Sequence, residues 1–427
     1  MKKSIIAAVL AVLSATATYG QSGTNSPYSQ YGIGVLSDQS LSFSRGMNGV
    51  GLGLHSGNIV NTLNPASYSA VDSLTMIFDV GLSGQFTNYK EGSNRVNANN
   101  ADFEYFAATF RLRKNIGMSF GLLPYSNVGY EYNTLTYLDA NNGYINENYT
   151  GSGGLHQAML GAGWRITKPL SIGVNVAYLW GTLDRTVASG STSTINSLAK
   201  NYKTTVNSYN LEAGLQWIQP FGTKDKLTIG ATVGVGHKLG ADPTCEIINI
   251  NSVVSESDTT RLVAHNGLEL PMTYGLGFGW NHDQKWFVGA DFTLQKWGSV
   301  DLPAYDSKNV TYAQLPGLTK DRYKFNVGGD YVPSAISRRL IDRIHYRFGA
   351  GYATPYYKIN GKDGPSELSV SAGLGIPLQN AWSNRSVLNI SAQWARTSAK
   401  DLITENTFRI CIGLTFNERW FAKWRVD

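Results

Sequence analysis

Leu170-Ser171-Ile172-Gly173-Val174-Asn175-Val176-Ala177-Tyr178-Leu179-Trp180 is the stretch that decides the fold. Side chains of an extended chain alternate between two faces. Leu170, Ile172, Val174, Val176, Tyr178 and Trp180 share one face, and Ser171, Gly173, Asn175 and Ala177 share the other. In a soluble sandwich the face away from the core is charged. Here it is small and neutral. That combination suits a wall with lipid on one side and a wet lumen on the other. The same alternation returns at 227–239, 368–378 and 408–416. Scattered charges such as Glu212, Asp291, Lys324 and Arg347 fall on the small face, which a lumen tolerates and lipid does not.

Outward from that stretch, about fourteen alternating segments can be counted, an even number in the normal range for bacterial barrels. They lie near 74–88, 102–112, 115–130, 154–166, 169–182, 204–219, 225–240, 268–281, 285–296, 321–332, 343–353, 366–378, 384–396 and 404–416. Each reaches the roughly 9–11 residues that a tilted strand needs to cross a bilayer. The expected class is all-β, an antiparallel transmembrane β-barrel. Connections alternate between short (Arg113-Lys114, Thr167-Lys168, Gly222-Thr223-Lys224, Asn281-His282-Asp283) and long (89–101, 131–153, 183–203, 241–267, 297–320, 354–365), with 333–342 and 379–383 exceeding the other short ones. Short turns belong on the periplasmic side of an outer-membrane barrel. That side is basic (Lys114, Lys168, Lys224, Arg338, Arg339, Arg343), and the long side carries acids such as Glu246, Asp258 and Asp306. A solvated set of turns explains the basic side better than nucleic-acid binding, which wants a continuous basic stripe. Tyr130, Tyr132, Trp164, Trp180, Trp217, Trp280, Trp286 and Trp394 are candidates for aromatic girdles.

Composition agrees. The 427 residues are only 15% charged and 12% aromatic, with a net charge of +6. After the first residues no apolar run is long enough for a transmembrane helix. Two distant cysteines, Cys245 and Cys411, exclude a disulfide framework. Lys2 and Lys3, the short apolar run Ile5–Leu13 and the small residues Thr18 and Gly20 predict a cleaved secretory signal over 1–20. Residues 21–73 do not alternate and are rich in Gly, Ser and Asn, which predicts a hatch or plug in the lumen. The barrel is then expected over 74–416. Residues 417–427, with Trp420, Phe421 and Trp424, are expected as a periplasmic-side tail. Export plus a barrel implies the outer membrane of a Gram-negative cell.

No catalytic motif stands out: G-x-S-x-G, H-E-x-x-H and C-x-x-C are missing, and the six histidines show no ligand spacing. Neither an enzymatic role, a cofactor nor a metal is expected. Asp79, Glu104, Glu212, Asp291 and Asp330 are expected to line the lumen as hydrogen-bond partners of the plug.

Four features carry a family resemblance: Arg45-Gly46 with Gly49 ahead of the barrel, Asn64-Pro65-Ala66, the strand count, and Pro124 inside the third strand, in Gly121-Leu122-Leu123-Pro124-Tyr125-Ser126. In these the chain resembles the FadL-like outer-membrane transporters of long-chain fatty acids and aromatic hydrocarbons. The wording around Ser26–Gly34 and Asn64–Asp72 looks most like the Bacteroidetes branch. The resemblance implies a hatch containing Asn64, Pro65 and Ala66 on the ligand path. It also implies a third strand kinked inward, with a lateral opening at Pro124 and Tyr125. Physically, a mid-strand proline cannot donate to the ladder and marks a break or a bulge. A harmless bulge near the rim is the bland alternative for Pro124, and an ordinary Asn-Pro turn is the bland one for Asn64-Pro65. The expected function is passive transport of hydrophobic small molecules, with outer-membrane lipids and the ligand as partners. The alternative is a non-transporting partner or scaffold subunit in an envelope protein complex for outer-membrane assembly or secretion, favoured by the polar loops 183–203 and 241–267.

Overall fold

The computed structural model describes residues 23–73, 75–139, 143–191, 196–251, 256–378 and 386–419. The expected signal peptide and the aromatic part of the tail lie outside the described residues. Fourteen wall strands follow in chain order. They are β1 (Thr75–Glu91), β2 (Asn94–Arg113), β3 (Ile116–Asp139), β4 (Gly143–Arg165), β5 (Leu170–Ser191), β6 (Asn196–Phe221) and β7 (Asp225–Gly234), then β8 (Thr273–His282), β9 (Trp286–Gln295), β10 (Arg322–Tyr331), β11 (His345–Ala353), β12 (Ser366–Leu378), β13 (Ser386–Ser398) and β14 (Thr404–Arg419). Each pairs antiparallel with the next. β14 closes on β1, in register from Thr75↔Arg419 to Lys90↔Thr404. A closed ring satisfies the backbone within lipid. Every segment expected from alternation overlaps one wall strand.

The faces sort by the same rule. Ile172, Val174, Val176 and Tyr178 are exposed, whereas Ser171, Asn175, Ala177 and Leu179 are buried. This inverts a soluble protein, as lipid outside and a filled lumen inside require. Trp164, Trp217, Trp280 and Trp286 are exposed next to the tight turns and form a girdle at that end. Tyr130 does not join a girdle; it is buried, because β3 leaves the wall below it.

The expected long loops are largely β structure. β6 has 26 residues where β7 has 10. Only roughly 10 are needed to cross, so β1–β6 rise far beyond the lipid belt on one side. Region 241–267 contains a hairpin, Thr244–Asn251 with Glu256–Val263, that extends the sheet along β6. Region 297–320 contains another, Leu302–Asp306 with Thr311–Leu315. Alternation is silent there because strands outside the bilayer have no lipid to face.

Residues 23–73 contribute little regular structure: the 3₁₀ turns Pro27–Gln30 and Pro65–Ala70, the two-residue strand Val35–Leu36, and one helical turn, Ser42–Arg45. Their contacts come from all round the ring. Ser42 Oγ donates to Asp79 of β1, Gly51 N–H to Asp291 of β9, Asn64 Nδ2 to the Leu215 carbonyl of β6, and Tyr68 OH to Asn175 of β5. These bonds tie the segment to opposite strands of the closed ring. The buried core forms between this segment and the wall, around Ile33, Leu41, Met47, Val50 and Tyr68.

Candidate functional site: the bend in β3 and the chambers behind it

Asn64, Pro65 and Ala66 form an anchor. The Asn64 carboxamide oxygen accepts from Ala66 N–H at 3.1 Å and caps the 3₁₀ turn, while its Nδ2 donates to the carbonyls of Leu52 and Leu215. All three residues are buried. Pro65 lies so close to β5 that a Cβ on Gly173 would sit 2.3 Å from its carbonyl carbon. Leu52 lies as close to β7, where a Cβ on Gly230 would be 1.9 Å from its carbonyl oxygen. Glycine is therefore required at these two wall positions for the segment's backbone to touch the wall.

His55 extends the anchor. Arg165 Nη2 is 3.3 Å from His55 Nε2, and guanidinium only donates, so Nε2 accepts. Nδ1 then carries the proton and donates to Gln216 Oε1 at 2.7 Å. Gln216 Nε2 in turn donates to the carbonyls of Leu52 and Leu54. Burial is the main force holding the imidazole pKa down at about 4. The Gln216 bond raises it, and the charge of Arg165 lowers it further.

Three of the five expected lumen acids bond the segment. Asp79 accepts from Ser42. Glu104 pairs with Arg45 at 2.9 Å, and Asp291 Oδ2 accepts from Gly51 and Leu52 N–H at 2.7 and 2.9 Å. The other two bond the wall instead. Glu212 accepts from Asn175, and Asp330 pairs with Arg347, whose guanidinium lies 4.0 Å from the Phe43 ring centroid.

Pro124 lies at a discontinuity in the wall. β3 pairs with β2 only from Ile116 to Leu122. Beyond Leu122 it keeps its pairing with β4, with a bulge between Pro124 and Ser126 that leaves Tyr125 unmatched. Leu122 is also the last lipid-exposed residue before the bulge; Leu123, Pro124, Ser126 and Val128 are all buried. The bend passes into the neighbouring strands through glycines with positive φ, Gly153 at 109° and Gly154 at 146° in β4 and Gly181 at 152° in β5. A gap thus opens between β2 and β3. Through the β1–β2 register (Leu82↔Phe103, Phe86↔Asn99) it lies level with the exposed Leu82 and Phe86, within the lipid belt.

The N-terminal segment fills this gap. Val35 and Leu36 add to the free edge of β3 opposite Asn127 and Ser126. Ser37 N–H donates to the Tyr125 carbonyl at 3.0 Å, and Gln39 Nε2 to the Pro124 carbonyl at 2.8 Å. On the other edge Asn25 Nδ2 donates to the Asn99 carbonyl. Behind lies a chamber of about 210 Å³, lined by Leu36, Gln39, Leu123 and Tyr125 but also by Asp38, Glu212, Asp291, Arg322 and Lys324. A second chamber, of about 130 Å³, is bordered by Tyr28, Tyr356, Glu405 and Arg409. Leu36 and Arg322 line both, so the short strand is their partition. Asn64, Pro65 and Ala66 line neither.

Solved structures share this architecture. The Ralstonia pickettii toluene transporter TbuX matches with a TM-score of 0.61 at 15% identity, over 90% of this chain and 99% of that one. A Pseudomonas aeruginosa FadL homologue gives 0.63 at 12% identity, over 90% and 99%. The P. putida toluene transporter TodX gives 0.61 at 15% identity, over 92% and 99%. At such identities the likeness is one of fold. No curated relative matches the sequence. The family model described as BamG matches residues 1–427. The chain belongs to the BamG family. In this BamG-family chain sequence reasoning missed Leu36 and Tyr356. Leu36 lies in a segment without alternation. The Tyr356 hydroxyl accepts from Ile33 N–H and lies within bonding distance of the Gly34 carbonyl. Its signal was the aromatic pair Tyr356-Tyr357 after Pro355 in a region read as a loop.

Proposed function

We propose that the protein is an outer-membrane barrel for passive passage of small hydrophobic molecules, which leave sideways between β2 and β3. The observation that carries this is the loss of β2–β3 pairing beyond Leu122, at the height of lipid-facing Leu82 and Phe86. The larger chamber limits the cargo. By volume alone, roughly 150 Å³ holds benzene, so about 210 Å³ suits a single-ring molecule better than a long acyl chain. In this reading Tyr125 and Pro124 border the exit, and Val35–Leu36 must yield for cargo to pass. Asn64, Pro65 and Ala66 hold the rest of the segment fixed.

A cross-link tests the route. Leu36 and Ser126 are a non-hydrogen-bonded antiparallel pair, for which Cα atoms lie about 4.5 Å apart, within disulfide range. In cells depending on the double variant Leu36→Cys/Ser126→Cys, toluene uptake is expected to fall to the level of cells lacking the protein under oxidation, and to recover on reduction. Uptake indifferent to the cross-link overturns the lateral route.

The second reading is a non-transporting subunit of an envelope protein complex. It is favoured by the charged residues in the larger chamber and by the one-sided rise of β1–β6 as continuous strand. A stoichiometric complex recovered in mild detergent, together with cross-link-independent uptake, supports it.

A further inference from the structure

Most turns at the basic end of the barrel are tight, but β10 and β11 are joined through the whole of 332–344. This connection is ordered. Ser334 N–H donates to the Asp342 carbonyl at 2.8 Å, Ser337 Oγ donates to the Asp342 carboxylate at 2.7 Å, and Arg339 N–H donates to Ser337 Oγ. Leu340–Arg343 forms a single helical turn. The fold nevertheless displays apolar groups: Ile336 is 95% exposed, Ile341 63% and Leu340 48%. Isoleucine held outside by an ordered backbone indicates a covering phase.

The position identifies that phase. Tyr346 OH donates to the Ile341 carbonyl at 3.1 Å. Tyr346 lies on the same face of β11 as Phe348, which is 66% exposed to lipid. The loop is therefore fastened to the lipid side of the barrel rim, beside the stacked girdle pair Trp286 and Tyr331. Its apolar residues continue the lipid-facing surface. Its charge supplies the other half of an interfacial site. Asp342 is engaged within the loop, and among the described residues no ion pair reaches Arg338, Arg339 or Arg343. Arg343 Nε is buried without a hydrogen-bond partner among them.

We propose that residues 336–343 form a binding site for anionic phospholipid in the leaflet at the short-turn end. Ile336, Leu340 and Ile341 enter the edge of the acyl layer, and the three arginines hold headgroup phosphate. The site rests on the barrel fold alone, so the cargo question does not affect it.

The test titrates full-length protein in neutral detergent with short-chain phosphatidylglycerol or phosphatidylcholine, reading bound lipid by native mass spectrometry. Phosphatidylglycerol is expected to bind preferentially. Each basic residue at a membrane surface contributes about 1 kcal/mol. The variant Arg338→Gln/Arg339→Gln/Arg343→Gln should therefore weaken phosphatidylglycerol binding by roughly 100-fold. The variant Lys114→Gln/Lys168→Gln/Lys224→Gln removes equal charge from tight turns and should leave binding within about twofold. Ile336→Ser/Ile341→Ser keeps the arginines and should weaken both lipids. Heat-modifiable gel mobility confirms that each barrel is folded. Equal losses in the two triple variants mean unspecific attraction and overturn the site. No preference for phosphatidylglycerol in the parent protein also overturns it and leaves the patch to a protein.

Discussion

Removing the Asp291 carboxylate should release the N-terminal segment locally while leaving the barrel closed. Its Oδ2 is a shared acceptor for Gly51 and Leu52 N–H, and Asp291 is buried. Hydrogen bonds to a charged group contribute about 1.5–3 kcal/mol each. Asp291→Ala removes two and strands two buried donors, so Gly51–Leu54 should lose about 3–6 kcal/mol of protection. Asp291→Asn keeps an acceptor oxygen but not its charge; neutral bonds contribute about 0.5–1.5 kcal/mol, so roughly half the loss is expected. The wall ladder between β8, β9 and β10 does not depend on this side chain. The assay is amide hydrogen exchange resolved by peptide, with heat-modifiable mobility as the barrel control. Exchange at Gly51 and Leu52 should accelerate by about two to four orders of magnitude in the alanine variant, with the asparagine variant between. Unchanged exchange there, or equal acceleration across β9, would refute the idea that this carboxylate pins the segment.

Three further outcomes follow from the same packing. Gly173→Val places branched carbon where the Pro65 carbonyl carbon lies 2.3 Å from a Cβ; the overpacking should cost about 1–3 kcal/mol and appear as protease nicking near 64–70. Arg45→Met takes the cation from the Glu104 carboxylate, at a cost of about 3–5 kcal/mol, and Arg45→Met/Glu104→Leu should recover part of it in thermal melts, because Arg45 also donates to the carbonyls of Ser40 and Asp38. His55 is held neutral with its pKa lowered to about 4, below its unfolded value near 6.5. Its contribution is complete above pH 6.5 and is lost as pH falls toward 4, up to about 3 kcal/mol. Exchange at Leu52–His55 should accelerate over that window in the parent protein and not in His55→Gln.

How much of this was legible in the sequence depends on where each strand meets lipid. Segments such as 366–378 were readable almost to the residue because bilayer contact forces one apolar face on every crossing. Outside the belt that pressure vanishes. Lys200 and Ile247 pair across β6 and its hairpin, yet nothing in their neighbourhoods alternates strictly enough to announce a strand. The apolar patch around Leu179 was missed for a related reason. Leu179, Leu183, Leu155 and Val206 are buried on the lumen side, where a polar lining was expected, because they pack with tyrosines and the N-terminal segment into an apolar core there. Single acids could be placed on the lumen face, but period two does not choose between partners. Asp291 meets the segment and Asp330 meets Arg347 only because the ring brings distant strands together.

Pro124 shows what local reading supplies and what it leaves to topology. The proline predicts a fault in the ladder, and a fault in lipid has to be covered or used. Covering it needs a second chain segment with free backbone groups, and Val35–Leu36 provides one by adding to the edge of β3. Moving inward needs the next two strands to bend as well, which Gly153, Gly154 and Gly181 allow by taking φ values that side chains resist. The bulge, the glycine row and the added strand are therefore one device. Replacing Gly154 by valine should disturb the seating of Val35–Leu36 although the two do not share a strand pairing. A variant in which strand Val35–Leu36 stays protected from exchange while β4 is strained would separate the bend from its cover and break that argument.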